Sequence, residues 1–259
     1  MKEALNICLF QCDLRWEDAL KNRTQIDAYL AEVTGADIIL LPELFSTGFS
    51  VASTHLAESM DGETVVWMKA QAKKKKAVLC GSVMIEYKGR VFNRLLWVEP
   101  NGRVLHYDKR HLFSLIKEDK YFTAGTERLI LEYEGWKICP MICYDLRFPV
   151  FARNDVDYDL LLFVANWPNT RISAWDALLK ARAIENPAYV IGLNRVGTDG
   201  FNAQYPGQSQ VLDPEGDCIS MAPEYEVGLV EVTLSKNYLI KCCKRYPFLS
   251  DRDTFTITD

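Results

Sequence analysis

The chain has 259 residues, with 30 Lys+Arg against 35 Asp+Glu and a formal charge of −5. Hydrophobic residues make up 49% and charged residues 25%, which is the balance of a globular protein able to bury a full core. That balance also excludes a disordered tail protein, and the mild acidity argues against nucleic acid as partner, because phosphate binding needs clustered cations. Asn6–Gln11 (NICLFQ) reads as a buried strand. Trp16, Ala19, Leu20, Ile26, Leu30 and Val33 then recur at helical spacing, with Gly35 as a stop. Ala36–Phe45 (ADIILLPELF) reads as a second buried strand. A helix is predicted near Thr64–Lys76, its Lys73–Lys76 run meeting the negative end of the helix dipole.

Two hairpins follow through AVLCGSVMIEY and VFNRLLWVEPNGRVLHY, with turn chemistry at Lys88–Gly89 and Pro100–Asn101–Gly102. After a polar stretch, GWKICPMICYD is another buried strand. A helix near Pro149–Asn154, the strand YDLLLFVANW, a helix near Ser173–Glu185 and the strand AYVIGLNRV come next. A last hairpin turns at Asp213–Gly216, VGLVEVTL closes a sheet, and the basic tail from about residue 236 reads as irregular. Asn6–Asp13 echoes Lys137–Asp145, and Asp37–Leu41 echoes Asp159–Phe163, which suggests two related halves. Strands alternating with helices and interrupted by hairpins fit an α/β protein of mixed or paired sheets with helices outside.

The longest apolar run, Leu160–Ala165, is far short of the ~20 residues of a membrane-spanning helix. Glu3 and Asp13 come too early for a signal peptide, so cytoplasmic residence is the expectation, with no membrane partner. The eight cysteines include no CxxC pair. Cys8/Cys12 and Cys139/Cys143 are spaced four apart in strand-like runs, which puts them ~13 Å apart, too far to share one metal.

Three places carry chemistry. Cys143 ends an apolar strand, where a thiol is presented at the sheet rim and the Tyr144 N–H is available to an oxyanion. Cys12, its echo, lacks the Tyr-Asp-Leu-Arg sequel and reads as core. Glu43 follows Pro42 at the end of an apolar run and is a candidate general base. Lys109 lies in YDKRHLF, by itself a charged turn. His111, two residues on, leaves a Cys-His alternative open.

PELFSTGF at Glu43, YDKRHLF at Lys109 and CYDLRFPV at Cys143 together resemble the three signature motifs of the nitrilase superfamily of carbon–nitrogen hydrolases, in order and spacing, over nearly the whole chain. ANWP at Ala165–Pro168, KARAIENPAYVIGLNRVGTDG at Lys180–Gly200 and DPEGD at Asp213–Asp217 resemble the omega-amidase branch, which deamidates 2-oxoglutaramate. The resemblance implies a single domain over residues 1–259 and a four-layer α-β-β-α sandwich. It also implies a homodimer or higher oligomer, with the tail packed at a subunit interface. It implies a catalytic Glu43-Lys109-Cys143 triad that needs no cofactor and no metal. Glu118 matches the family's second glutamate, with Glu127 the other choice.

The partner is then a small-molecule amide, hydrolysed through a cysteine thioester. The same triad also serves N-carbamoyl amides and nitriles. A non-catalytic binding module would show a replaced triad residue, and none is replaced. A carboxylate-bearing substrate needs a cation. Arg195, at a strand end, is the first candidate. Arg147 reads as structural, tied to an acidic neighbour. Asn166 and Trp167, ending the strand beside that of Cys143, are candidate pocket walls with Tyr144.

Overall fold

The computed structural model describes residues 2–258. The first half runs β1 (Ala4–Gln11), α1 (Ala19–Glu32), β2 (Ile38–Leu40), α2 (Glu63–Lys75), β3 (Val78–Tyr87), β4 (Arg90–Val98) and β5 (Val104–Asp108). The second runs α3 (Glu118–Tyr121), β6 (Leu131–Tyr133), β7 (Trp136–Ile142), α4 (Pro149–Ala152), β8 (Leu160–Ala165), α5 (Ile172–Glu185) and β9 (Tyr189–Asn194). The short pair β10 (Val196–Thr198) and β11 (Gln204–Pro206) comes next, then β12 (Gln210–Leu212), β13 (Cys218–Met221), β14 (Gly228–Ser235) and α6 (Lys236–Arg245).

Two six-stranded sheets result, ordered β14-β1-β2-β3-β4-β5 and β6-β7-β8-β9-β12-β13 as read from matching edges. Each has an antiparallel edge strand, then three parallel strands, then two antiparallel ones. The echo between Asn6–Asp13 and Lys137–Asp145 therefore marks equivalent strands, β1 and β7, and the Asp37/Asp159 echo marks β2 and β8.

Strand alternation builds the layers. Ile7 and Leu9 of β1 face inward, into one core shared with Ile138, Leu160 and Leu162 of the second sheet. Cys8 and Phe10 face outward, onto Ile26 and Leu30 of α1 and Val65 and Met68 of α2. Both faces being buried, these strands read as continuous apolar runs rather than alternating ones. On the far side, Trp175 and Leu179 of α5 cover the second sheet. Gly192 of β9 permits that approach, since a Cβ there would lie 2.4 Å from Leu179 Cδ1. The architecture is the expected α-β-β-α sandwich.

Three expectations need correction. The strand predicted over Ala36–Phe45 pairs in parallel only over Ile38–Leu40. Pro42 has no N–H to give a ladder, and Leu44 at φ 44° turns the chain out of it. Glu43 thus stands on a buried turn beyond the strand. Of the tail predicted as irregular, Lys236–Arg245 forms α6. Ser235 caps it, its hydroxyl accepting from Tyr238 N at 3.2 Å, and Leu239 and Cys242 are buried on one face. The basic composition concealed that three-residue spacing. The polar stretch before β7 also holds β6, which pairs with it as an antiparallel edge.

Candidate active site

Glu43 and Lys109 leave the first sheet, from the turn after β2 and from the end of β5. Cys143 and Asn166 leave the second, directly after β7 and β8. Stacking the sheets brings these four strand ends to one place. Lys109 is held there by its own backbone: its N–H donates to Asn93 O at 3.0 Å, and its carbonyl accepts from Gly125 N at 3.0 Å. A Cβ on Gly125 would lie 2.2 Å from Asp108 O, so only glycine lets the chain close in.

The ammonium of Lys109 is fully buried between two fully buried carboxylates. It donates to Glu43 Oε1 at 2.9 Å and to both oxygens of Glu118 at 3.0 Å. Asn93 Nδ2 donates to the same Glu43 oxygen at 2.8 Å, and Asn166 N donates to the other at 2.9 Å. Asn166 Nδ2 also donates to the Glu43 carbonyl at 2.7 Å. Phe113 N donates to Glu118 at 2.6 Å, which fixes that carboxylate at the start of α3. Glu127 is exposed, so Glu118 is the second glutamate of the cluster. Burial by itself lowers the lysine's pKa. The charges of Glu118 and Glu43 outweigh it and hold the ammonium above its ordinary range.

Cys143 opens a 3₁₀ turn, Cys143–Arg147, at φ 44°, a left-handed conformation that L-residues rarely adopt. Its thiol points to Asn166 O at 3.9 Å. Burial raises its pKa well above the usual thiol value. Glu43 raises it further, and Lys109 pulls it back only in part. That balance favours the thiol over the thiolate, so attack calls for a base to take the proton.

Cys143 and Lys109 sit in the lining of a cavity of about 720 Å³, along with Tyr144, Asn166 and Trp167. The first N–H groups of the 3₁₀ turn, Tyr144 among them, have no acceptor within that turn and are suited to an oxyanion. Trp167 is fixed by Asn194 Oδ1, which accepts from its N–H at 2.7 Å, and by its own Nε1 donating to Arg171 O at 2.7 Å.

His111 does not reach this group. Its Nδ1 lies 2.8 Å from Asp145 Oδ1, and its ring stacks on Phe148 at 3.6 Å, outside the cavity lining. The Cys-His alternative has no geometry here. Cys12 is buried, absent from the cavity lining, and pushed up to about 12 by that burial.

The arginines are the main correction. Arg195 is fully buried and outside the cavity lining. Its Nη2 pairs with Asp13 Oδ1 at 2.9 Å, its Nε donates to Val196 O at 2.9 Å, and its guanidinium lies over the Tyr205 ring at 4.8 Å. It braces the loop after β9. Arg147, expected to be tied to an acid, pairs with no carboxylate among the described residues. It lines the cavity with its guanidinium 5.0 Å over Trp167. Arg171, which the sequence did not single out, does the same over Phe113 at 4.9 Å. Arg195→Met is accordingly expected to leave KM unchanged. It should lower unfolding stability by about 1.5–3 kcal/mol, because the charge-assisted bonds are lost, and chemical denaturation against steady-state kinetics separates the two.

A thiol beside a carboxylate, with an ammonium facing the same space at the strand ends of a four-layer sandwich, is a set of groups suited to hydrolysis through a covalent intermediate. The chain belongs to the carbon–nitrogen hydrolase family, the nitrilase superfamily, whose family model matches residues 6–242. It is 44% identical over 253 residues to the omega-amidase YafV of Escherichia coli (strain K12), covering 98% of each chain. It is 31% identical over 251 residues to the 2-oxoglutaramate amidase of Bacillus subtilis (strain 168), covering 95% of this chain and 96% of that one. A CN-hydrolase superfamily protein of Xanthomonas campestris, solved with an arsenic adduct in its active site, superposes with a TM-score of 0.97 at 44% identity, over 99% of this chain and 100% of that one. This chain is an amidohydrolase.

Proposed function

We propose that the chain is an omega-amidase, releasing ammonia from short ω-amides that carry an α-carboxylate, with 2-oxoglutaramate and 2-oxosuccinamate the leading substrates. The observation that carries the reading is the pairing, in one cavity, of Cys143 and Lys109, the latter bonded to Glu43, with two guanidiniums, Arg147 and Arg171, that form an ion pair with no described carboxylate. The omega-amidase and 2-oxoglutaramate amidase relatives point the same way.

Cys143 Sγ attacks the amide carbon as Glu43 takes the thiol proton. Lys109 Nζ and Tyr144 N–H stabilise the oxyanion. Glu43 returns the proton to the amide nitrogen, the C–N bond breaks, ammonia leaves, and a thioester remains. Glu43 then deprotonates a water that attacks the thioester. The C–S bond breaks, the sulfur recovers its proton and the carboxylic acid departs. Glu118 keeps Lys109 in place through both halves. Trp167 and Phe113 hold the two guanidiniums by cation–π contact, so that they face the substrate carboxylate.

Arg147→Met is expected to raise KM for 2-oxoglutaramate by about 10- to 150-fold, the loss of a charge-assisted contact of roughly 1.5–3 kcal/mol. KM for a neutral aliphatic amide should hardly change. Ammonia release over a panel of 2-oxo-ω-amides, neutral amides, nitriles and carbamoyl amino acids tests the assignment. A higher kcat/KM for any carboxylate-free class would move the enzyme to another branch of the family.

Eight unpaired cysteines suit a cytoplasmic enzyme. No helix among the described residues is long and apolar enough to cross a membrane. A homodimer or larger homo-oligomer, with α6 at the subunit interface, completes the proposal, and sedimentation of the full chain checks it.

A further inference from the structure

Asp145 has no part in the chemistry above, yet it is fully buried and its carboxylate is crowded with donors. Tyr107 OH donates to Oδ2 at 2.7 Å and Ile142 N donates to the same oxygen at 3.0 Å. His111 N donates to Oδ1 at 3.1 Å, and His111 Nδ1 lies 2.8 Å from it. The positions of these partners are the point. Tyr107 and His111 stand two residues either side of Lys109. Ile142 stands immediately before Cys143. Tyr107 OH also accepts from Arg110 N at 3.1 Å, which folds the chain around the lysine. One carboxylate therefore ties the segment that carries the ammonium, from the first sheet, to the turn that carries the thiol, from the second.

That tie has work to do. Cys143 is held at φ 44°, and a strained backbone persists only where its surroundings over-determine it. Asp145 bonds back to Ile142 N and clamps the turn from behind. The reacting geometry depends on where Lys109 Nζ stands relative to Cys143 Sγ, and these groups come from different sheets. A misplacement of about 1 Å costs on the order of 10²-fold in rate.

We propose that Asp145 is a positioning residue of the hydrolase, setting the placement of Lys109 against Cys143 through Tyr107, His111 and Ile142. The proposal rests on Cys143 and Lys109 being the reacting pair. In Asp145→Asn one acceptor oxygen becomes an NH₂ donor that must face N–H or O–H donors, so one side of the clamp opens at nearly constant volume.

The test measures kcat per active site, normalised to the single-turnover burst of ammonia, together with KM. For Asp145→Asn the expected result is a fall in normalised kcat of about 10²-fold with KM within about threefold. Tyr107→Phe, which deletes a single hydroxyl, should lose about tenfold, and the double variant should be little worse than Asp145→Asn alone, because both cut the same tie. Tyr107→Phe carries the test by itself if Asp145→Asn does not fold. A purely structural Asp145 would lower the melting temperature and the burst amplitude while leaving normalised kcat intact. That outcome, or losses that multiply in the double variant, overturns the proposal. Turnover retained in Cys143→Ala would instead sink the functional reading itself, whereas an inactive Cys143→Ala beside a fully active Asp145→Asn sinks only the role of Asp145.

Discussion

Cys143→Ala is expected to release no measurable ammonia from any ω-amide, a loss of about 10⁶-fold in kcat on the scale seen when a covalent nucleophile is removed from a working triad. The physical ground is specific to this sulfur. Five other thiols are buried as Cys143 is, but Cys143 alone among the cavity-lining residues is a cysteine, and it faces both Glu43 and Lys109. The fold should survive, because only a thiol is removed and the alanine keeps the same backbone. Circular dichroism and a thermal melt verify that, and a coupled ammonia assay reads the activity. The substrate should still bind, since the guanidiniums and the aromatic walls are untouched. Turnover above about 1% of the wild type would place the nucleophile elsewhere, and with it the reaction class.

Lys109→Met should be the second most damaging change, and its damage is double. The oxyanion loses a preorganised donor, which costs about 10²–10³-fold in kcat. Glu43 and Glu118 lose the ammonium they share, leaving two fully buried carboxylates without a counterion. Breaking a buried pair from one side costs about 3–5 kcal/mol. The pH dependence gives the signature. In the wild type, burial already raises the Glu118 pKa, and Lys109 restrains that rise. Without the lysine it climbs further above its unfolded value, so the folded state of the variant binds a proton that the unfolded state releases. Stability is then greatest at low pH and is lost as pH rises through the raised folded pKa. Melting temperatures of Lys109→Met between about pH 5 and 8 should fall with rising pH, relative to the wild type. A variant that melts in parallel with the wild type would mean that water reaches the two carboxylates and relieves them.

Much of this was legible in the chain itself. Apolar runs broken by Gly, Pro-Asn-Gly and Asp-Pro-Glu-Gly mark strands and turns because those residues fix or free the backbone locally, and burial on both sheet faces writes itself as unalternated Leu, Ile and Val. The repeated NICLFQCD and KICPMICYD reported equivalent strands, β1 and β7, of two sheets with the same strand pattern. The resemblance of the Glu43, Lys109 and Cys143 motifs to those of the nitrilase superfamily carried the site, since alone Lys109 reads as a charged turn and Cys143 as core. What the sequence could not carry was anything decided by partners distant along the chain. Arg195 and Arg147 are both arginines just past a buried strand, and local sequence ranks Arg195 as the ligand. The fold lays Arg195 against Asp13, 182 residues away, and leaves Arg147 facing the cavity over Trp167. A guanidinium takes whichever carboxylate the packing delivers, and that pairing is a property of how the two sheets stack. The same holds for Asp145, whose partners come from β5 and the loop after it in one sheet and from the end of β7 in the other, and for the left-handed backbone of Cys143, a conformation set by its surroundings rather than by its own preference.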